Sequence, residues 1–347
     1  MYGAYGYTGR LIIEEALKNK ETPVLAGRNL QKLIPLANEV GLDYIVFNLE
    51  KPEIIKEKIK KYETVFNAAG PFQYTSKPLV QACLKTSVNY LDITGEIGVF
   101  KQNFALNNEA IKKEIAIISG VGFDVVPTDC MALYVSNQIQ EPNNLELGIS
   151  GMSGMSPGTL KTMIDKLEYG AILRRNGEFI SKPLGGVPKR IRFIDKERLC
   201  YAISWGDLCT AYRTTGIPNI TTYMSLPKFI RYLTGPVDFF ARSLLGLRSI
   251  KKIAKFIIDK QVQGPNEYAR NNYKSYIWAK VRNKKGESFE SWLQTLEAYH
   301  LTAISAIRCI QKLRKDQSHI KGALTPSLAF GSDFILEFPQ TIRMDSL

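Results

Sequence analysis

The chain has 347 residues, of which 45% are hydrophobic and 23% charged, and this composition predicts globular domains rather than a disordered or fibrous chain. It has only two histidines, and its five cysteines form no C-x-x-C pair. A histidine-based zinc site, a Ser-His-Asp triad and a disulfide framework are therefore not expected, and no metal site is predicted. No apolar run is long enough to span a bilayer and no signal peptide is visible, so the predicted location is the cytoplasm.

The net charge of +13 is unevenly distributed along the chain. Residues 1–150 carry 15 basic and 17 acidic side chains, whereas residues 151–347 carry 31 basic and 16 acidic ones. The second half is therefore expected to face an anionic partner, such as phosphates or acidic lipid headgroups. Nucleic acid is not the predicted partner, because the sequence has no helix-turn-helix, zinc or RNP signature.

The first part of the chain alternates short apolar runs with amphipathic segments. The predicted strands are Thr22–Ala26, Asp43–Leu49, Thr64–Ala68, Val88–Ile93 and Ile115–Ser119. The predicted helices are Arg10–Lys20, Leu30–Val40, Pro52–Lys60, Ser76–Lys85 and Phe100–Lys113. This alternation indicates an α/β fold with a Rossmann-type, doubly wound parallel sheet that helices cover on both faces.

The pattern changes near residue 140, where we place the boundary between a domain at 1–140 and a domain at 141–347. Leu145–Met152 is predicted as a strand and Gly158–Leu173 as a helix, whereas residues 191–226 contain strand-like runs with no helix between them. Ser275–Arg282 and Ser288–Glu297 predict a β-hairpin. The second domain is thus an α+β domain with a mixed sheet, and its C-terminal helix and tail are expected to pack back on the first domain.

One basic amphipathic helix is predicted at Ser249–Lys260, within a segment 228–260 that carries eight basic and two acidic residues. Ile250, Ile253, Ala254, Ile257 and Ile258 share one face, and Arg248, Lys251, Lys252 and Lys255 share the opposite face. The pattern fits a surface helix whose apolar face covers the core. It also fits a helix that lies on an anionic membrane, which would make the protein peripheral at that membrane.

The opening sequence MYGAYGYTGR carries Gly3, Gly6 and Gly9 directly before a predicted helix. In such a turn the first glycine permits the tight bend, the second lets a pyrophosphate approach the backbone, and the third lets the helix pack on the sheet. Only Met1 and Tyr2 remain to form the preceding strand. Either the chain starts upstream and a strand is absent, or the sheet contains a stunted central strand.

Arg28 follows the next predicted strand, about twenty residues after the glycines, where an NAD-preferring site has an acid. No acid occurs between Thr22 and Asn38. Because a guanidinium suits the 2′-phosphate, the sequence favours NADP(H) over NAD(H), and Asn29 is expected to assist Arg28 and to cap the following helix.

The segment Asn67–Phe72 (NAAGPF) repeats this geometry, since its small residues end a predicted central strand and would let the nicotinamide side of a cofactor lie against the backbone. The predicted cofactor-binding set is Gly3, Ala4, Gly6, Tyr7, Thr8, Gly9, Arg28, Asn29, Ala69, Gly70 and Pro71. Later strand ends offer acids near the nicotinamide, and for each single one of them a structural role is favoured over a catalytic one. The catalytic acid is therefore open, with Tyr74, Asp92 and Asp124 as candidates and Glu96 close by.

Several segments together resemble the saccharopine dehydrogenase-like oxidoreductases, and more narrowly their trans-acting enoyl reductase branch. They are YGAYGYTGRL, LAGRNLQKL, NAAGPF, YLDITGE, GFDVVPTD, SWGDLCTAYRTTGIPN, EAYHLTAISA and GALTPSLAFGSDF. The resemblance covers most of the chain. It implies an N-terminal NADP(H)-binding Rossmann domain followed by an α/β substrate or dimerisation domain.

The resemblance further implies reduction of a carbon–carbon double bond on a lipid-like or carrier-bound substrate. Two alternatives stay open. One is a saccharopine dehydrogenase-type oxidoreductase that acts on an amino acid adduct, and the other is a nucleotide-binding, non-catalytic adaptor at a membrane. The sequence also leaves open whether the protein is a monomer or a homodimer.

Overall fold

The computed structural model describes residues 1–151, 153–226, 232 and 234–347. The chain divides into two compact units. The first combines Met1–Val126 with Tyr299–Gly331, and the second combines Pro127–Ala298 with Ser332–Leu347. Each unit is built around its own β-sheet.

The strands and helices of the described residues have the following bounds. The strands are β1 (Leu25–Gly27), β2 (Tyr44–Val46), β3 (Thr64–Asn67), β4 (Asn89–Asp92), β5 (Ala116–Ser119), β6 (Pro142–Ser150), β7 (Ala171–Arg175), β8 (Glu178–Lys182), β9 (Pro188–Arg192), β10 (Glu197–Ile203), β11 (Asn219–Ser225), β12 (Lys274–Asn283), β13 (Ser288–Leu296), β14 (Gly322–Leu324) and β15 (Ile342–Met344). The α-helices are α1 (Tyr7–Lys18), α2 (Leu30–Val40), α3 (Pro52–Ile59), α4 (Phe72–Thr86), α5 (Ile97–Phe104), α6 (Asn107–Lys112), α7 (Val126–Ser136), α8 (Pro157–Lys166), α9 (Asp207–Thr215), α10 (Gly235–Gly246), α11 (Arg248–Gln261), α12 (Glu267–Asn272), α13 (Ala298–Lys315) and α14 (Pro326–Phe330). Two 3₁₀-helices cover Leu167–Tyr169 and Ser332–Glu337.

The sheet of the first unit is entirely parallel. β1 pairs with β2, β3 pairs with β4, and β5 lies between β4 and β14. Tyr2 joins the two halves, because it pairs with Ala26 of β1 on one side and with Asn67 of β3 on the other. The resulting order, β2, β1, Tyr2, β3, β4, β5 and β14, confirms the predicted doubly wound sheet. Its core is mainly aliphatic, with Leu25, Leu79 and Ile117, and it also contains the aromatic residues Phe47 and Tyr90.

The segment Met1–Tyr2 occupies the centre of this sheet with two residues. The Tyr2 N–H donates to the Phe66 carbonyl at 2.8 Å, and the Ala68 N–H donates to the Tyr2 carbonyl at 2.8 Å. On the other side, the Ala26 N–H donates to the Met1 carbonyl at 2.7 Å. Tyr2 is only 5% exposed. This short segment is thus hydrogen-bonded on both edges, and it holds the glycine turn that follows.

The second unit contains a nine-stranded sheet whose main path runs β15, β13, β12, β6, β11, β10 and β9, with β7 paired to β11 and β8 paired to β7. β6 and β11 are parallel, and the other pairs are antiparallel. This mixed sheet confirms the predicted α+β class. β12 and β13 form the predicted hairpin, with Trp278 opposite Trp292.

Two local predictions in the second unit were wrong. Residues 191–226 do contain a helix, α9, which lies between β10 and β11. Its residues are poor helix formers, but Gly216 ends it in the left-handed conformation and five of its side chains are buried, so tertiary packing outweighs propensity. The predicted helix Gly158–Leu173 ends early, because Ala171–Arg175 forms β7 instead.

The orientation of α11 also differs from the simpler prediction. Ile258 is buried, but Ile253 is 57% exposed and Ile257 is 47% exposed. Lys251 and Lys255, predicted on the solvent face, instead form ion pairs with Glu168 and Asp165. Of the predicted basic segment 228–260, residues 228–231 and 233 lie outside the described residues.

Candidate functional site

The glycine turn packs so closely on a neighbouring strand end that side chains do not fit. Gly3 has φ +87°, and an added Cβ would stand 2.6 Å from the Ala69 nitrogen and 2.7 Å from the Ala68 carbonyl carbon. An added Cβ at Gly9 would come within 2.7 Å of the Ala4 oxygen. Gly6 is less confined, since its added Cβ would meet only the Gly3 oxygen, at 3.3 Å. The turn therefore packs directly against the backbone of Ala68–Ala69, whereas the space beside Gly6 is open.

The start of α1 has the features of a diphosphate site. Gly6 is its N-cap in an extended conformation, provides no side-chain cap, and is followed by a first turn without acidic residues. The N-terminal N–H groups and the positive end of the helix dipole therefore act without a competing carboxylate. Of the other predicted residues here, Ala4 is fully buried, whereas Thr8 is half-buried and Tyr7 packs edge-on against Tyr299 at 5.1 Å.

Arg28 follows β1 and is exposed at the strand's carboxyl end. Asn29 is the N-cap of α2, and its side chain accepts a hydrogen bond from the Lys32 N–H at 3.1 Å. The predicted capping by Asn29 is therefore confirmed. This cap fixes the β1–α2 turn, so that the Arg28 side chain starts from a defined backbone position.

The NAAGPF turn is fixed by the buried amide of Asn67. The Asn67 Oδ1 accepts a hydrogen bond from the Ala69 N–H at 3.0 Å, and its Nδ2 donates to the Thr75 Oγ1 and to the Tyr90 hydroxyl at 3.1 Å each. The Thr75 hydroxyl donates back to the Ala69 carbonyl at 2.6 Å. Ala69 and Pro71 are half-buried and Gly70 is exposed. A rigid turn with small side chains therefore faces the glycine turn across Ala68–Ala69.

Glu96 has a structural role at the N-terminus of α4. Its carboxylate accepts hydrogen bonds from the Phe72 and Gln73 N–H groups at 2.9 and 3.0 Å, which are the first two of α4. The side chain is nearly fully buried. Glu96 thus caps α4 and complements its dipole.

Asp92 lies at the end of β4 and is completely buried. Its carboxylate accepts hydrogen bonds from the Thr94 and Gly120 N–H groups at 3.0 Å each and from the Ser119 hydroxyl at 3.3 Å. Burial raises the pKa of Asp92 from its ordinary value of 3.8 to about 6, although these hydrogen bonds oppose the shift. The carboxylate therefore ties the ends of β4 and β5 together beneath the site.

We expect Asp92 to make the stability of the protein fall as pH rises. Its folded pKa is above its unfolded value, so the folded state holds a proton that the unfolded chain releases between these values. The contribution is complete below about pH 4 and is lost as pH rises through about 6, and a shift of two pKa units corresponds to roughly 3 kcal/mol. In Asp92→Asn the amide keeps the same partners without titrating. Urea unfolding at several pH values should show wild type losing about this much relative to Asp92→Asn, and a constant difference would contradict the assignment.

The two remaining candidates for the acid are more accessible. Tyr74, in the first turns of α4, is 70% exposed. Asp124 is half-buried beside the loop that follows β4, where an added Cβ on Gly95 would stand 2.6 Å from the Asp124 Oδ2. Gly95 thus leaves room for this carboxylate. Of the three candidates for the catalytic acid, Asp92 is therefore buried, whereas Tyr74 and Asp124 are accessible to solvent.

Sequence reasoning missed a buried pair of hydrogen bonds in the second unit. The Thr128 hydroxyl donates to the Asp207 Oδ1 and the Thr214 hydroxyl to the Asp129 Oδ1, at 2.6 Å each. Both acids are fully buried. They join α7 to α9, and thereby join the segments VPTD and SWGDLCTAYRTT. The available signal was an acid in the first turn of each helix, Asp129 in α7 and Asp207 in α9, but the pairing with Thr214 and Thr128 depends on the tertiary fold.

The second unit also has a polar pocket of about 240 Å³ on one face of its sheet. Strand register brings Lys280, Glu146 and Thr221 into one row and Arg282, Asn144 and Asn219 into the next. Arg175 lies beside them and donates to the Thr221 hydroxyl at 2.8 Å. Lys189 neutralises Glu146 at 2.6 Å. The cations of the pocket thus outnumber its acids, and its charge suits an anionic group.

The first unit is defined by these features as a dinucleotide-binding domain: a doubly wound parallel sheet, a glycine turn against the helix α1, and a second small-residue turn beside it. Residues 1–118 match the family of the saccharopine dehydrogenase NADP binding domain. The match spans about a third of the chain, and it indicates NADP(H) as the cofactor of this region. The open space beside Gly6 at the start of α1, where the first turn has no acidic residue, fits the diphosphate of such a cofactor.

Curated relatives agree with this family at modest identity. The chain is 27% identical over 161 residues to the saccharopine dehydrogenase-like oxidoreductase of Homo sapiens, which covers 40% of this chain and 37% of that protein. It is 28% identical over 155 residues to the trans-acting enoyl reductase of Mycobacterium leprae, which covers 42% of this chain and 37% of that protein. The match thus spans little more than a third of each relative's length.

Among solved structures, the apo saccharopine dehydrogenase (L-Glu forming) of Saccharomyces cerevisiae superimposes with a TM-score of 0.64. The alignment covers 99% of this chain and 98% of that one at 12% sequence identity. At this identity the likeness concerns the fold, which extends through both units. In the part of the chain that the structure describes, no helix is both long and apolar enough to cross a membrane.

Proposed function

We propose that the protein is an NADP(H)-dependent oxidoreductase that reduces an enoyl carbon–carbon double bond on a lipid-like or carrier-bound substrate. The observation that supports it best is the closure of the Gly3–Gly9 turn onto Ala68–Ala69 within a region that matches an NADP-binding family. The similarity to a trans-acting enoyl reductase supports the reaction class.

The chain's own residues would bind and orient the reactants. Backbone N–H groups at the start of α1 would hold the pyrophosphate, and Arg28 would hold the 2′-phosphate. The Gly70–Pro71 turn, fixed by Asn67, would support the nicotinamide side. When bound, NADPH supplies the hydride for the β-carbon of the conjugated double bond. The protein would thereby contribute alignment and a fixed electrostatic environment for the enolate charge.

The proton for the α-carbon would come from a side chain that solvent and substrate can reach. Asp92 is enclosed and engaged by three hydrogen-bond donors, so the accessible groups Asp124 and Tyr74 are the better donors. Of the two, Asp124 is held beside Gly95 at the edge that carries the two turns. We therefore propose the Asp124 carboxyl as the general acid, with the Tyr74 hydroxyl as second candidate.

Asp124→Asn should lower kcat by about 100-fold or more, because a positioned proton donor typically contributes a factor of this size. The affinity for NADPH should stay within about threefold, since Asp124 is not among the proposed cofactor ligands. Because a general acid must be protonated, the pH profile of Asp124→Asn should also lose the limb along which activity falls as pH rises. Steady-state kinetics of Asp124→Asn and Tyr74→Phe, with the exposed Asp43→Asn as control, measure this. A wild-type kcat in Asp124→Asn together with a lowered kcat in Tyr74→Phe would indicate that Tyr74 is the general acid.

The reaction class is tested with the purified full chain in two steps. NADPH titration followed by fluorescence should saturate and should raise the thermal midpoint more than NADH does. Loss of NADPH absorbance is then followed with a trans-2-enoyl thioester, and gain of NADPH absorbance is followed separately with NADP⁺ and saccharopine. Turnover of the thioester supports enoyl reduction, whereas turnover of saccharopine supports the amino acid alternative. Saturable NADPH binding without turnover of either would leave the nucleotide-binding adaptor as the better description.

A further inference from the structure

The helical pair α10–α11 in the second unit exposes a concentrated apolar surface. In α10 and the residue after it, the exposed apolar side chains are Val237, Phe240, Leu244 and Leu247, which are 55%, 71%, 54% and 50% exposed. In α11 they are Ile253, Phe256 and Ile257, which are 57%, 58% and 47% exposed. These seven are about a third of the large apolar side chains that the described residues leave exposed, although they come from a short segment. We call them the apolar hairpin face.

The spacing shows that each helix contributes one continuous stripe. The α10 side chains recur three, four and three residues apart, and those of α11 recur three and one residues apart, as on one side of an α-helix. On the other side of α11, Ile258 faces the interior and is only 8% exposed. The apolar hairpin face therefore consists of described side chains on the solvent-facing sides of these two helices, and clustered apolar exposure of this kind marks an interaction surface.

Ion pairs hold α11 in this orientation. Lys251 Nζ lies 2.7 Å from the Glu168 Oε1, and Lys255 Nζ lies 2.6 Å from the Asp165 Oδ1 at the end of α8. Both lysines are largely shielded, with side-chain exposures of 15% and 34%. Because these charges are satisfied on the inner side, turning α11 to bury Ile253 and Phe256 would leave Glu168 and Asp165 without their cations. These ion pairs therefore fix the rotation of α11 that leaves the apolar stripe exposed.

Among the side chains of α11 that the structure describes, the charges on the side of the apolar hairpin face are basic. Lys252 and Lys260 are exposed on the same side of α11 as Ile253 and Phe256, and the Lys260 ammonium lies 4.6 Å from the centre of the Phe256 ring. Asp238, the acid of α10, is buried and paired with Arg242 at 2.7 Å. Apolar side chains flanked by lysines that extend from the helix ends are typical of interfacial helices, where the stems lie in the headgroup layer and the ammonium groups meet lipid phosphates.

We propose that the apolar hairpin face inserts into the interface of an anionic lipid bilayer, with Lys252 and Lys260 contacting the headgroups. The second unit, Pro127–Ala298 with Ser332–Leu347, carries 26 basic and 18 acidic residues, and this excess favours the occupant because a negatively charged surface attracts the unit as a whole. A second copy fits less well, because facing copies would bring their Lys252 and Lys260 side chains together. The attachment would be peripheral, through two helices that lie parallel to the membrane plane.

Flotation of the full chain with vesicles tests the proposal. The protein should rise with vesicles of phosphatidylcholine and phosphatidylserine and should stay behind with phosphatidylcholine alone, and added salt should weaken binding. Phe256→Glu and Ile253→Glu should each lower the bound fraction about tenfold, because a carboxylate replaces an inserting group. Ile54→Glu, an equivalent change on the exposed side of α3 in the first unit, should bind like wild type.

Two further variants separate the apolar and electrostatic parts. Lys252→Glu with Lys260→Glu should abolish the preference for phosphatidylserine, and NADPH binding by every variant should match wild type because the first unit is unchanged. Absence of flotation with both vesicles, or equal flotation of Phe256→Glu and wild type, would overturn the proposal. Sedimentation that shows a dimer converted to a monomer by Ile253→Glu would assign the face to a second copy and would overturn it equally.

Discussion

Gly3→Ala should destabilise the first unit by about 2–5 kcal/mol. Two costs add here. A non-glycine residue at positive φ costs about 1–2 kcal/mol, and forcing a methyl into a closed contact costs about 1–3 kcal/mol. The neighbours that the methyl would meet, 2.6 Å and 2.7 Å away, are backbone atoms of Ala69 and Ala68, which cannot rotate aside. The affinity for NADPH should fall together with stability, because the turn and the NAAGPF segment would separate.

Denaturation followed by far-ultraviolet circular dichroism measures this loss, and hydrogen exchange should localise it to β1 and β3, which pair with Tyr2. Gly98→Ala is the matched control, since no atom lies within 4 Å of its added Cβ and it lies inside α5. It should change stability by less than about 1 kcal/mol and in the stabilising direction. If Gly3→Ala were as stable as Gly98→Ala, the close packing of the two turns would not exist in solution.

Gly6→Ala separates cofactor binding from folding. Its backbone has φ −72° and ψ 161°, which alanine adopts easily, and the added methyl would meet only the Gly3 oxygen at 3.3 Å. We therefore expect nearly normal stability. A methyl at the start of α1 would nevertheless keep a diphosphate from the N–H groups, so the NADPH dissociation constant should rise at least tenfold. Unchanged NADPH affinity in Gly6→Ala would show that the pyrophosphate does not bind at this turn.

Arg28→Ala should weaken NADPH binding by about 10- to 100-fold and leave NADH binding within about threefold. The physical reason is that charge-assisted hydrogen bonds to a phosphate contribute about 1.5–3 kcal/mol, and only NADPH carries the 2′-phosphate. Arg28 is exposed at the end of β1, so its loss should not affect folding. The thermal midpoint without cofactor should therefore match that of wild type.

Calorimetric titration with both cofactors measures this selectivity, and Arg190→Ala serves as the control because Arg190 is an exposed arginine of the second unit, paired with Glu197 at 3.2 Å. Arg190→Ala should keep the wild-type preference. An equal loss of NADPH and NADH affinity in Arg28→Ala would show that Arg28 acts on a part common to both cofactors. Arg28→Asp should go further and favour NADH, because a carboxylate repels the 2′-phosphate and can bind the ribose hydroxyl.

The sequence by itself determined the class of both units. Continuous apolar strands that alternate with amphipathic helices predict a covered parallel sheet, and the change to adjacent strands after residue 140 predicts the mixed sheet. The residues with local constraints were also recognisable. Gly3, Gly6 and Gly9 precede a helix, Arg28 and Asn29 follow a strand, and each of these signals depends on neighbours in the chain.

Only the tertiary structure decided what depends on contacts between distant segments. Tyr2 forms part of a central strand because β1 and β3 hydrogen-bond to it from both sides. In the sequence, Asp92 was a candidate for the catalytic acid and Glu96 lay close by. Burial and backbone donors show that Asp92 connects β4 to β5, whereas Glu96 caps α4. Likewise, helical spacing in α11 gave an apolar face without its direction. The acids Asp165 and Glu168, about ninety residues earlier, pair with the lysines and turn that face outwards. The periodicity of a sequence shows which residues share one face of a helix. Whether that face is buried or exposed depends on the residues that the fold brings next to the helix.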